Sequence, residues 1–93
     1  MITQIKKRDG AIVNYDASKI IHAIQKASDE VESDIGAVTV SNILNDIETE
    51  LSKKEEIVTV ECIQDLVEEA LLAEGFISTA RAYILYRERQ RQA

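Results

Sequence analysis

Residues 6–20, KKRDGAIVNYDASKI, decide how this chain folds, because a basic run, an Asp-Gly pair, a short β-branched stretch and a helix start follow one another without a break. Asp-Gly is a preferred pair for a two-residue hairpin turn of type I′, in which both central residues take positive φ. Residues 5–15, IKKRDGAIVNY, therefore read as two short strands joined by Asp9-Gly10. Asp16 is placed to cap a helix over 17–31, where Ile20, Ala23 or Ile24, Ala27 and Val31 recur at helical spacing. Lys19, His22, Lys26 and Glu30 fall on the opposite, polar side. The same segment gathers Lys6, Lys7, Arg8 and Lys19 in a chain whose net charge is −6. Either this is a solvated hairpin with basic flanks or it is a pocket for a polyanion.

Beyond a polar connection at 28–37, residues 38–55 repeat the helical pattern with Val40, Ile43 or Leu44, Ile47 and Leu51. The run EIVTV, 56–60, is too short to stand alone and fits as a third strand beside the hairpin. Thr59 is a candidate cap for a helix over 60–74, with Glu61 in its first turn and Val60, Ile63, Val67 and Ala70 or Leu71 facing inward. Gly75 offers its stop. A last helix over 77–92, capped by Ser78, places Ala80, Tyr83, Ile84 and either Tyr86 or Arg87 along one side. The expected architecture is mainly α (α+β): a four-helix bundle capped by a small N-terminal β-hairpin or three-stranded sheet. With no internal repeat or linker, residues 1–93 read as a single domain.

Composition narrows the function classes. A single Cys62 excludes an internal disulfide framework and a cysteine zinc site, and it points to a reducing, cytoplasmic setting. No apolar run approaches the roughly 20 residues of a membrane span, and the N-terminal charges speak against a signal peptide. One His, no Trp and no Gly-rich phosphate loop leave nothing that resembles a nucleophile with its base, so this chain alone reads as non-catalytic.

The net charge conceals a segregation. Residues 1–26 hold five cations against Asp9 and Asp16, residues 27–80 hold Lys53 and Lys54 against fourteen acids, and residues 81–93 hold Arg81, Arg87, Arg89 and Arg91 against Glu88. Basic ends can simply pair with an acidic middle. They can also converge on one anion, since a helix N-terminus with flanking Lys and Arg suits phosphate. Nucleic acid fits poorly, because such domains show a net basic footprint.

KKRDGAIVNYDASKIIHAI closely resembles the opening of the ATP-cone domain, which runs Lys-Arg-Asp-Gly, an aromatic-Asp pair, Lys-Ile and Ala-Ile. VTVECIQDLVEEAL and ARAYILYRERQ are similar to that family's later signatures, in order and spacing, so the resemblance spans nearly the whole chain. It implies a regulatory site for ATP or dATP, with Mg²⁺, in which ATP permits and dATP suppresses the activity of a ribonucleotide reductase. The partners it implies are an adenine nucleotide and the reductase's catalytic domain or subunits, with ligand-dependent oligomers as one form of output. The ending looks most like anaerobic or cobalamin-dependent ribonucleoside-triphosphate reductases. The family also includes a bacterial repressor with a zinc ribbon before the cone, which one Cys cannot form.

Position by position, the resemblance implies that Ile5 lies against the base, that Lys7, Arg8 and Lys19 meet phosphates, and that Ile20 lines the pocket. Asp16 would meet sugar or base, Thr59 and Val60 would border the adenine, and Gln64 is a further candidate. Arg89, with Arg87 as its competitor, would reach the phosphates. Some cones carry an acid where this chain has Val13. Ile5, Ile20 and Val60 fit plain core equally well, Asp16 and Thr59 fit helix caps, and Tyr83 and Tyr86 read as packing residues. The alternative is a helical protein-interaction module with a decayed nucleotide site, its acidic face docking a basic partner.

Overall fold

The computed structural model describes residues 3–92. Strands β1 (Gln4–Lys6) and β2 (Ile12–Asn14) form the hairpin, and helix α1 (Ala17–Glu30) follows at once. Then come α2 (Ala37–Ser52), β3 (Val58–Thr59), α3 (Val60–Ala73) and α4 (Ile77–Gln92). The architecture is mainly helical with a small sheet.

The hairpin pairs Ile5 with Val13 and Lys6 with Ile12. Its turn differs from the expected one. The Gly10 N–H donates to the Lys7 carbonyl at 2.9 Å and the Lys7 N–H to the Ala11 carbonyl at 2.8 Å. Gly10 has φ 92° while Asp9 does not take positive φ. This is a turn centred on Arg8-Asp9 followed by a left-handed glycine, the three-residue hairpin loop rather than type I′. The Asp9 carboxylate explains the change, since it accepts the Ala11 N–H at 2.9 Å from a negative-φ position. Strand β3 adds parallel to β1, with Ile5 opposite Val58, so the order is β2-β1-β3.

Each helix packs on two others, α1 and α3 each touching both α2 and α4. Their shared core is built from Ile24, Ile43, Ile47, Leu51, Val67 and Leu71, all nearly inaccessible to water. Val31 sits at the C-cap of α1, exposed, and Ser28 is buried in its place on the inner face. Two helix ends close by the same hydrogen-bond pattern. After α3, the Phe76 N–H reaches the Leu71 carbonyl at 2.9 Å with Gly75 at φ 85°. After α1, the Ser33 N–H reaches the Ser28 carbonyl at 2.9 Å, but the left-handed position is Glu32 at φ 54°.

Helix α4 departs from the expected reading twice. It starts at Ile77, where the Ala80 N–H bonds to the Phe76 carbonyl at 2.9 Å, so Ser78 lies inside the first turn and does not cap it. Its inward face is Thr79, Ala80, Ala82 and Tyr83, whereas Ile84 is exposed. Packing against both α1 and α3 requires a wide buried face, and the small residues supply it. Among the described residues no helix is long and apolar enough to cross a membrane, and no cluster of three or more metal-ligating side chains occurs.

Candidate functional site

A cavity of about 190 Å³ lies between the sheet, the first turns of α1 and α3, and the middle of α4. Its apolar walls come from Ile5 and Val13 on paired strands, Ile20 and Ala23 on α1, and Val60 and Ile63 on α3. Tyr83 and Tyr86 close it from α4, with ring centroids 6.1 Å apart. Lys7, at the end of β1, and Lys19, in the first turn of α1, also line it, and both are exposed. Neither lysine takes part in an ion pair among the described residues.

The local sequence explains how these groups are brought together. The Asp16 carboxylate caps α1, accepting the Ser18 N–H at 3.0 Å and the Ser18 hydroxyl at 2.6 Å. Those hydrogen bonds hold its carboxyl below the ordinary aspartate range. The cap fixes where α1 begins, and so aims Lys19 and Ile20 at the cavity. Tyr15, also on the wall, donates its hydroxyl to Glu48 of α2 at 2.8 Å. Burial and the neighbouring carboxylate push that hydroxyl's pKa upward, so it stays a donor. Thr59 ends β3 and caps α3 by accepting the Cys62 N–H at 3.1 Å. Gln64, one turn further along α3, lines the cavity, and its Oε1 is buried with no partner among the described residues.

Of the residues singled out in the sequence, Ile5, Lys7, Asp16, Lys19, Ile20, Val60 and Gln64 meet at this cavity. Arg8, Thr59 and Arg89 do not line it. Arg8 turns to the other side of the hairpin loop and pairs with Glu61 at 3.1 Å. It borders a second, charged cleft with Glu68, Arg87 and Arg91. Arg87 is held by Asp65 at 3.0 Å and by Glu68. Burial opposes its charge, but these carboxylates outweigh that and raise its pKa. Arg89 pairs with Glu30 at the end of α1, at 3.0 Å. Asn14, Tyr15, Ala23, Ile63, Tyr83 and Tyr86 join the cavity without having been singled out for it. Helical spacing identified Tyr83 and Tyr86 as inward-facing, and nothing local said that they face a gap rather than a filled core.

An apolar cavity with two ammonium groups and the Asp16 carboxylate at its edge suits a ligand with an apolar part and an anionic tail. Residues 3–92 match the family model described as the ATP cone domain. The chain is 38% identical over 96 residues to a vitamin B12-dependent ribonucleoside-diphosphate reductase of Thermoplasma acidophilum, covering 98% of this chain and 12% of that protein. It is 34% identical to a ribonucleoside-diphosphate reductase subunit alpha of Chlamydia muridarum, over 88% of this chain and 9% of that protein. It is 33% identical to the transcriptional repressor NrdR of Halomicrobium mukohataei, over 90% of this chain and 51% of the repressor. The chain thus spans about a tenth of these reductases and about half of the repressor.

Proposed function

Since the chain belongs to the ATP-cone family, we propose that it is a regulatory adenine-nucleotide-binding domain whose ligand, ATP or dATP, controls the overall activity of a ribonucleotide reductase. The observation that carries this reading is the pair of lysines, Lys7 and Lys19, without an ion pair among the described residues, beside an apolar cavity at the start of α1. The adenine ring enters between the sheet and the α3 start, against Ile5, Ile20 and Val60, and Gln64 offers its unpartnered Oε1 to the base. The phosphates meet Lys7 and Lys19 near the α1 N-terminus, where the Asp16 cap carboxylate also stands, so the two lysines must outweigh its repulsion. Mg²⁺ would accompany the phosphates and offset part of their charge. In this reading the domain contributes binding and no chemistry of its own.

Control then follows from linkage. A ligand shifts an equilibrium only by its differential affinity for two states. ATP and dATP differ by one hydroxyl, and one hydrogen bond is worth about 0.5–1.5 kcal/mol net. Discrimination in this domain is therefore roughly two- to twelvefold, and a larger response comes from assembly with the catalytic part of the reductase.

Calorimetric titration with dATP, ATP and GTP in the presence of Mg²⁺ tests the reading. Saturable binding of the adenine nucleotides without GTP binding is the expected result. A folded chain that binds none of them would overturn it and favour an interaction module whose acidic face docks a basic partner.

A further inference from the structure

Of the cations of the KKRD run, Lys7 lines the cavity while Lys6 and Arg8 do not. The Arg8 Nε donates to Glu61 Oε1 at 3.1 Å, joining the hairpin loop to the first turn of α3 across fifty-three residues of sequence. Both partners stand one residue from the cavity wall, since Lys7 precedes Arg8, Val60 precedes Glu61, and Lys7 and Val60 line the cavity. The two side chains are 46% and 39% exposed, so the pair is solvated and weakly held. A phosphate chain carries more charge than a carboxylate and accepts the guanidinium fork through two oxygens at once. Arg8 lies in a loop, where a long side chain changes sides without disturbing the strands.

We propose that Glu61 is an internal competitor of the ligand's phosphates: it holds Arg8 against α3 until a triphosphate takes the guanidinium from it. The inference rests on the nucleotide reading above and adds to it an affinity-setting residue outside the cavity. Glu61 lowers triphosphate affinity while leaving recognition of the base untouched. Ligand capture also unties the hairpin loop from the start of α3, so binding loosens a fixed contact between two elements.

The test is calorimetric titration of the 93-residue chain and its Glu61→Gln, Arg8→Gln and doubly substituted variants with Mg-ATP and with adenosine. Glu61→Gln is expected to tighten ATP binding about two- to fivefold, the factor of one exposed ion pair. Adenosine binding stays unchanged, and in the Arg8→Gln background the gain disappears. Weaker ATP binding by Glu61→Gln would overturn the proposal and make Glu61 a residue that orients Arg8 for the phosphate. A gain that survives without Arg8 would also overturn it, leaving only repulsion through space. If the unsubstituted chain binds no ATP, the nucleotide reading itself falls; if it binds ATP and Glu61→Gln changes nothing, the competitor alone falls.

Discussion

The two halves of α1 carry the same apolar stripe and end up in different surroundings. Towards its C-terminus, Ile24, Ala27 and Ser28 are sealed in the core shared with Ile43 and Ile47. Towards its N-terminus, Ile20 and Ala23 face a cavity, with Lys19 at the edge. The cover makes the difference. Helix α4 runs along both halves, with Arg89 paired to Glu30 and Tyr83 lining the cavity, but beside the first turns of α1 the sheet and the start of α3 leave a gap. One amphipathic pattern therefore faces both the sealed core and the cavity proposed to bind nucleotide, and substitutions should separate the two.

The largest effect is expected on the sealed side. Ile47→Ala, at 2% exposure, should cost about 2–5 kcal/mol, read as a lower urea midpoint with the slope unchanged. On the open side, Lys19→Ala should weaken ATP binding about ten- to hundredfold, as for a lost hydrogen bond to a charged group. Its thermal midpoint in the absence of nucleotide should stay where it was. Equal loss of stability from both substitutions would mean that the two halves are not separable.

Smaller changes sharpen the contrast at the helix ends. Thr59→Ala removes the hydroxyl that accepts the Cys62 N–H and should destabilise the fold by about 1 kcal/mol, measured by denaturation. Glu32→Gly, at the left-handed residue after the sealed half, should stabilise by about 0.5 kcal/mol, because relief of the side-chain clash exceeds the entropy glycine adds to the unfolded chain. At the open end, the pKa of Asp16 is lower in the folded chain than its ordinary value. Its contribution is therefore present above the ordinary aspartate range and is lost as pH falls through the folded value. Asp16→Asn keeps a capping oxygen and should flatten the acid limb of stability as pH falls below the ordinary aspartate range.

What was legible in the sequence is what short-range physics controls. The caps at Asp16 and Thr59, the stop at Gly75 and the stripes of α1, α2 and α3 all follow from spacing and local hydrogen bonding. The turn was misread because Asp9 uses its side chain where the dipeptide rule assumes only backbone. Ser78 was misread because Phe76, the second residue past the preceding helix's cap, already supplies the first carbonyl of α4. The site was half legible. Lys7 and Lys19 flank a helix start and could be named together, but the partners of Arg8 and Arg89 are more than fifty residues away. Which carboxylate claims which arginine depends on how the helices cross, and no local pattern records that.

The parallel pairing of β1 with β3 also sets an order of events. The hairpin and each helix draw on neighbours in sequence and can form within microseconds. Strand β3 pairs with Ile5 through Val58, across the whole of α1 and α2 in sequence. Long-range pairing of this kind is slow to form. During synthesis the KKRDG hairpin and α1 leave the ribosome early, yet the cavity does not exist until Val60, Gln64 and Tyr86 have followed. A ligand that needs all of these walls can bind only the folded domain, and not the hairpin and α1 on their own.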